Sequence, residues 1–282
     1  MGLERLAALN ALSDAEFAVY SQRGEDGILE WLLQRVPVGS RRFIEFGVES
    51  YCEANTRFLL LNRNWKGLVI DGSPTNVEAI RKDPMFYSYG LTAICRFITR
   101  ENINSLFRDA GFEGEIGVLS IDIDGNDYWV WEAIDCVNPA IVVCEYNAVF
   151  GDAYPVTIPY NKDFQRTAAH FSNLYYGASI GALIGLARKK GYVFLGTTSH
   201  ANDAFFIRQD LAHHVVDRIE RKVAAPSLVR ESRGPDGNLT FLSGAARLQC
   251  IAGLPVLRLD NDEIVKLGDL ASPYSEAWLS EM

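Results

Sequence analysis

The sequence predicts a doubly wound α/β fold on a mostly parallel sheet, and three observations point there. Its strand-like segments, at residues 43–47, 67–72, 117–122 and 140–145, are continuous apolar runs rather than alternations. Strands covered on both faces read this way, whereas a strand with one wet face alternates. These runs are interleaved with segments of helical spacing. Several of them also end in an acid: Glu45, Asp71, Asp122 with Asp124, and Glu145. Ligands of such sheets bind beyond the carboxyl ends of the strands.

Taken in order, Ser13-Asp14-Ala15-Glu16 fits a capping box opening a helix before Phe17 and Val19. A polar turn at 21–27 follows. Ile28, Leu32, Leu33 and Val36 then recur at helical spacing as far as Pro37. The run at 43–47 closes on Gly47, and 54–62 reads as helix. After the run at 67–72, Thr75-Asn76-Val77-Glu78 fits a second capping box, its helix ending near Asp83. Residues 87–95 read as a third strand and 99–110 as a helix stopped by Gly111. A fourth strand at 117–122, a helix at 128–134 and a fifth strand at 140–145 follow. Residues 148–172, with Pro155 and Pro159, read as irregular, and 178–190 as a helix closed by Gly191. Short runs at 192–196 and 204–208 can pair antiparallel at the sheet edge. Beyond Gln209 the character changes: 211–223 reads as helix and 233–238 as a turn cluster.

The 282 residues are 48% hydrophobic and 22% charged, enough for a full core without staples. A net charge of -9 disfavours non-specific binding to nucleic acid. The five cysteines, Cys52, Cys95, Cys136, Cys144 and Cys250, are odd in number and widely spaced. That excludes a disulfide framework or cysteine zinc site as the organising feature. No stretch approaches the ~18 apolar residues of a membrane span. A soluble cytoplasmic protein is the expectation, with self-association left open.

The first turn bears on chemistry. A dinucleotide fingerprint wants three glycines so that backbone can approach a pyrophosphate. Here Gly47 stands alone, and Glu49 and Cys52 occupy the other two positions. A carboxylate there repels a diphosphate, which counts against NAD, FAD and nucleoside triphosphates. The same acids suit a cationic, phosphate-free cofactor such as S-adenosylmethionine, which carries an ammonium and a sulfonium. Asp71, ending the second strand, can accept hydrogen bonds from a ribose diol. The simpler reading is a turn acid before Gly72-Ser73-Pro74.

Three segments together resemble a class I S-adenosylmethionine-dependent methyltransferase. They are residues 43–47, Val69-Ile70-Asp71-Gly72, and 119–127, which carry Asp122, Asp124 and Asp127. The FkbM-like group is the nearest match by motif order, with Ser21-Gln22, Gly24-Glu25-Asp26, Glu53-Ala54-Asn55-Thr56, Tyr175-Tyr176-Gly177 and Asn202-Asp203-Ala204. The resemblance spans about residues 21–208 and lacks the fuller glycine pattern of many such enzymes. It implies a Rossmann-like, seven-stranded sheet with an antiparallel last strand. It divides the chain into an N-terminal helical segment (1–40), a methyltransferase core (41–208) and a C-terminal extension (209–282) acting as cap or interface. The cofactor-binding residues it implies are Gln22, Glu45, Gly47, Asn55, Asp71, Gly72, Thr92 and Asp122, with the segment 92–99 beside the adenine.

Methyl transfer to an alcohol needs an in-line geometry and an acceptor for the hydroxyl proton. Asp122 and Asp124 are candidates, as are His170 and His200, whose ordinary pKa lies near neutrality. Each histidine is otherwise a surface or packing residue. Asp122, Glu145 and Asn147 are candidate ligands for Mg²⁺ or another hard cation. Two alternatives stay open: acid–base work without metal, and an Asx-type turn made by Asp124 and Asp127. Tyr146 and Tyr160 fall where a pocket ring for a sugar face would be, with core or rim placement the leading alternative. Arg57, Arg96 and Arg100 are either acceptor contacts or solvated. The expected activity is O-methylation of a sugar or other small molecule in polysaccharide or natural-product biosynthesis. A catalytically idle scaffold and, less favoured, a nicotinamide-dependent oxidoreductase are the rivals.

Overall fold

The structure, a computed structural model, describes residues 7–227 and 231–282. Seven strands form the central sheet: β1 (Arg42–Phe46), β2 (Lys66–Asp71), β3 (Leu91–Cys95), β4 (Gly114–Ile121), β5 (Val137–Glu145), β6 (Tyr192–Thr197) and β7 (Asp203–Arg208). Their order across the sheet is β3-β2-β1-β4-β5-β7-β6. Strands β1 to β5 run parallel, and β7 runs antiparallel to both its neighbours. This is the Rossmann-like, mostly parallel sheet with an antiparallel last strand.

Successive residues of one strand serve two cores. Ile44, Phe46, Leu68, Ile70, Leu119, Ile121 and Val142 face one apolar cluster. Phe43, Val69, Val118, Ile141 and Val143 face the other. Both faces being dry explains the continuous apolar runs. Helices α1 (Glu25–Leu33), α2 (Arg57–Arg63) and α3 (Pro74–Lys82) cover the second cluster, followed by the short α4 (Pro84–Ser88). Helices α5 (Ile103–Asp109), α6 (Asp127–Ala133) and α8 (Ile180–Lys189) cover the first. The short α7 (Arg166–Ala169) lies between α6 and α8 in sequence.

Several boundaries depart from the sequence reading. The Ser13 segment forms a 3-10 turn, Leu12–Ala15, in which Asp14 accepts the N–H groups of Asn10 and Ala11, so the chain does not propagate into α-helix. The helix expected from Ala54 starts at Arg57, because the Asn55 and Thr56 N–H groups are taken by the Glu45 carboxylate. The cap of α3 is Ser73, whose hydroxyl accepts the Asn76 N–H, with Pro74 in the first turn. The third strand begins at Leu91 rather than Tyr87. Asp83 caps α4 and Pro84 opens it, which absorbs Tyr87. Residues 211–223 are not an α-helix: 3-10 turns (Gln209–His214, Val216–Arg218) lead into a strand, Ile219–Arg221. That strand pairs with Leu9–Ala11. Ala212, Val215 and Ile219 are buried at a spacing that mimics a helix, but β-branching favours the extended form.

The C-terminal region packs on the segment after β5. Pro255–Arg258 pairs with Val156–Thr157 and with Ile264–Lys266. The Tyr274 hydroxyl donates to the Val149 carbonyl, and the Trp278 indole to that of Ala224. Helices α9 (Ala245–Ile251) and α10 (Glu276–Glu281) complete the chain. Among the described residues, no helix is long and apolar enough to cross a membrane.

Candidate functional site

A cavity of about 500 Å³ lies along the carboxyl edge of the sheet. Its wall includes Glu45, Gly47, Asp71, Gly72, Asp122, Asp124 and Glu145, so the strand-end acids converge on one space. Gln22 and Asn55 also reach it.

The first turn is held tightly. Gly47 has φ +77°, and a Cβ there would lie 1.4 Å from the Asp122 carbonyl oxygen. Only glycine lets the ends of β1 and β4 approach this closely. Glu49, at φ +48°, donates its N–H to Asp71 Oδ2 (2.9 Å). Asp71 Oδ1 accepts from the Ser73 N–H and the Asn76 amide (2.7 and 3.0 Å). Asp71 therefore is a turn acid, and as a carboxylate with four acceptor positions it keeps one for a ligand hydroxyl. Glu45 is buried beneath. Its Oε1 accepts the Asn55 N–H (2.8 Å), and Oε2 accepts the N–H and hydroxyl of Thr56. Burial still lifts its pKa to about 7. The Asn55 amide bridges Ser120 and Asp203 (3.2 Å each).

At the other end, Asp122, Asp127 and Glu145 place carboxylate oxygens within 4.8 Å of one another. Burial, then the nearby Asp124 and Asp127, raises Asp122 well above the carboxylate range. Burial and Asp122 do the same to Glu145. Glu145 is 9% exposed, and its Oε2 has no hydrogen-bond partner. Asp127 holds the turn before α6, accepting the N–H groups of Ile123 and Gly125 (2.8 and 2.9 Å). Arg166 supplies the positive charge. It pairs with Asp124, donates to the Asn173 carbonyl, and lies 4.0 Å over the Tyr176 ring. Burial pulls the Arg166 pKa down, but Tyr176, Asp124 and Glu145 together hold it up.

Eight candidate site residues lie off the cavity wall. Thr92 is an exposed residue of β3; Arg96, Phe97 and Ile98, beyond that strand's carboxyl end, line the cavity instead. Asn147 spends its amide on the Leu174 and Tyr176 carbonyls and its oxygen on the Val149 N–H. His170 bonds Ser172, and burial lowers its pKa. His200 sits beside Ser199. Tyr146 is buried with its hydroxyl on the Ala225 carbonyl, and Tyr160 bonds Glu101. Arg57 is tied to Asp83 and to the Tyr51 carbonyl. Arg100 is paired with Glu101.

The cavity also takes residues that the sequence offered without a role. Asn202 and Asp203, at the start of β7, reach it because Asp203 pairs in register with Glu145. Burial first, then Glu25 and Asp122, pushes Asp203 well up. Arg23 lies in the polar turn read at 21–27, between the quoted Ser21-Gln22 and Gly24-Glu25-Asp26, whereas Phe164 and Arg166 come from the segment read as irregular. From the C-terminal region, Ser227 and Glu231 reach the rim.

The residues do not fit a divalent cation well. Asn147 is spent, Asp127 already accepts a backbone N–H on each oxygen, and Arg166 offsets the charge of the remaining acids. They fit a nucleoside linked to an amino acid better: Phe97, Ile98 and Asp71 at one end, and free and acidic polar groups toward β7 at the other.

No protein-family model and no curated protein matches the sequence. Among solved structures the chain is similar to the CcbJ methyltransferase from Streptomyces caelestis (12% identity, 71% of this chain and 96% of that one, TM-score 0.41). It is similar to an S-adenosylmethionine dependent methyltransferase from Mesorhizobium loti (14%, 66% and 100%, TM-score 0.39). A third is PKMT2 from Rickettsia typhi (11%, 64% and 52%, TM-score 0.40), of whose length the chain spans about half. The superpositions are loose.

Proposed function

We propose that the protein is an S-adenosylmethionine-dependent methyltransferase of the FkbM-like kind, acting on an oxygen of a sugar or similar small polyhydroxylated molecule. The observation that carries the reading is the convergence of Gly47, Asp71, Asp122 and Glu145 on one nucleoside-sized cavity. The first turn adds to it, because Glu49 and Glu53 stand where a diphosphate would need glycine or cation. Polysaccharide or natural-product biosynthesis is the setting that the family resemblance suggests.

S-adenosylmethionine would supply a methyl group already activated by its sulfonium. Asp71 would hold the ribose with its remaining acceptor position, and Phe97 and Ile98 would flank the base. Asp122 and Glu145 would orient the acceptor hydroxyl and take its proton, since both residues line the cavity and Glu145 Oε2 is buried without a hydrogen-bond partner. Arg166 would favour the ionised, proton-accepting form of the pair, and Phe164 and Tyr176 would give a sugar ring apolar faces and exclude water.

Calorimetric titration with S-adenosylhomocysteine tests this. One saturable site is expected, with NAD and ATP giving no heat. Absence of S-adenosylhomocysteine binding to the native protein overturns the reading.

A further inference from the structure

We infer that Arg23, assisted by Gln22, clamps the α-carboxylate of an amino-acid-bearing ligand at the β7 end of the cavity. The inference rests on the donor proposed above and names the residue that reads the donor's amino-acid tail.

The loop before α1 is built so that these two side chains are left over. The Asp26 carboxylate accepts three successive N–H groups, from Val19, Tyr20 and Ser21 (2.7, 2.7 and 3.0 Å). The Ser21 hydroxyl accepts the Asp26 N–H in return (3.0 Å). Glu25 accepts the N–H groups of Arg23 and Gly24 (2.9 Å each). Gly24 takes φ +136°, and a Cβ there would meet Glu16 at 2.7 Å. Every polar side chain of residues 21–26 is thus spent on fixing the loop, except Gln22 and Arg23. Both line the cavity, and neither side chain has a hydrogen-bond or ion-pair partner among the described residues. A guanidinium on a rigid loop with its five donors unclaimed is preorganised for a carboxylate.

Topology places it at the amino-acid end. The loop is tied to the first turn by the Ala54 N–H on the Tyr20 carbonyl (3.0 Å), and to β7 by the Asn202 amide on Glu25 (3.3 Å). Asp71 lies on β2, on the opposite side of β1 from β7. Arg96, the other cavity arginine without a partner among the described residues, follows β3 beyond Asp71 and so belongs to the nucleoside end. An α-amino acid also needs an acid for its ammonium, and Asp203 lines the same wall.

The test compares two ligands by calorimetry: S-adenosylhomocysteine, and 5′-methylthioadenosine, which lacks the amino-acid tail. R23M should weaken S-adenosylhomocysteine by about 10- to 100-fold, the range of a charged hydrogen-bonded contact. It should change methylthioadenosine less than about twofold, on the same scale. R23K should fall between, because lysine keeps the charge but loses the fork. Thermal unfolding of R23M should match the parent. Equal loss for both ligands, no loss for either, or selective loss in R96M instead of R23M overturns the clamp. If the native protein binds neither ligand, it is the donor reading that fails.

Discussion

Substituting Gly47 by alanine tests the first turn most sharply, because the structure provides its own control. Gly47 and Gly111 both sit at positive φ, +77° and +74°. Alanine at either position pays the left-handed cost of about 1–2 kcal/mol, partly offset by about 0.4–1 kcal/mol from a stiffer unfolded chain. At Gly111 nothing lies within 4 Å of the added Cβ, so G111A should lose no more than about 1.6 kcal/mol. At Gly47 the Cβ falls 1.4 Å from the Asp122 carbonyl oxygen, against an ordinary contact of 3.4 Å or more. The ends of β1 and β4 must therefore separate by about 2 Å, a backbone displacement in a region packed on both faces. Overpacking adds about 1–3 kcal/mol, giving roughly 1–5 kcal/mol in all. Urea unfolding of both variants at constant pH measures the difference directly. G47A should also lose S-adenosylhomocysteine affinity, since the displaced groups include Asp122 and the Glu49 N–H that anchors Asp71. Equal stabilities for G47A and G111A would refute the steric argument.

Other outcomes follow from the same geometry. D71N should weaken S-adenosylhomocysteine and methylthioadenosine alike by at least about 10-fold in calorimetry, because the lost acceptor serves the nucleoside common to both. E145Q should cut turnover by about 100-fold or more while leaving S-adenosylhomocysteine affinity within about threefold, a split expected of a proton acceptor. Exhaustive chelation should leave both affinity and turnover intact; loss restored by Mg²⁺ would return the metal to the site. Glu45 makes stability depend on pH. Its pKa rises from 4.5 to about 7 on folding. The fold then binds more protons than the unfolded chain in that window. Its contribution is fully present below pH 4.5 and is lost as pH rises through about 7. The loss is ~3 kcal/mol at 1.36 kcal/mol per unit. Urea unfolding across pH 4.5–8 should show this fall, and E45Q should reduce it by Glu45's share, leaving the part due to the other raised acids, Asp122, Asp127, Glu145 and Asp203.

What the sequence made legible was what burial on two faces imposes on strands. Each apolar run ending in Glu45, Asp71, Asp122 or Glu145 is a strand with its acid at the cavity. Helix starts were less legible where the capping group is distant: Asn55 and Thr56 are held by Glu45, ten or eleven residues away. Residues 83–88 misled because Phe86 and Tyr87 favour strands, while Asp83 and Pro84 impose a helical turn. Arg166 was hidden because its role depends on a loop returning over the sheet to Asp124, 42 residues earlier. Asn147 looked like a ligand beside Glu145, but its amide is what ties the Leu174–Tyr176 segment in place. Gln22 was named by the motif resemblance, whereas the unspent Arg23 beside it emerges only once the bonds made by Ser21, Glu25 and Asp26 are accounted for.

The most direct measurement is a crystal structure of the native protein grown with S-adenosylhomocysteine. The account requires density along the sheet's carboxyl edge, with the ribose on Asp71, the base beside Phe97, and the amino-acid tail toward Arg23 and Asp203. A nucleoside bound elsewhere, or an edge cavity left empty at saturating ligand, would contradict it.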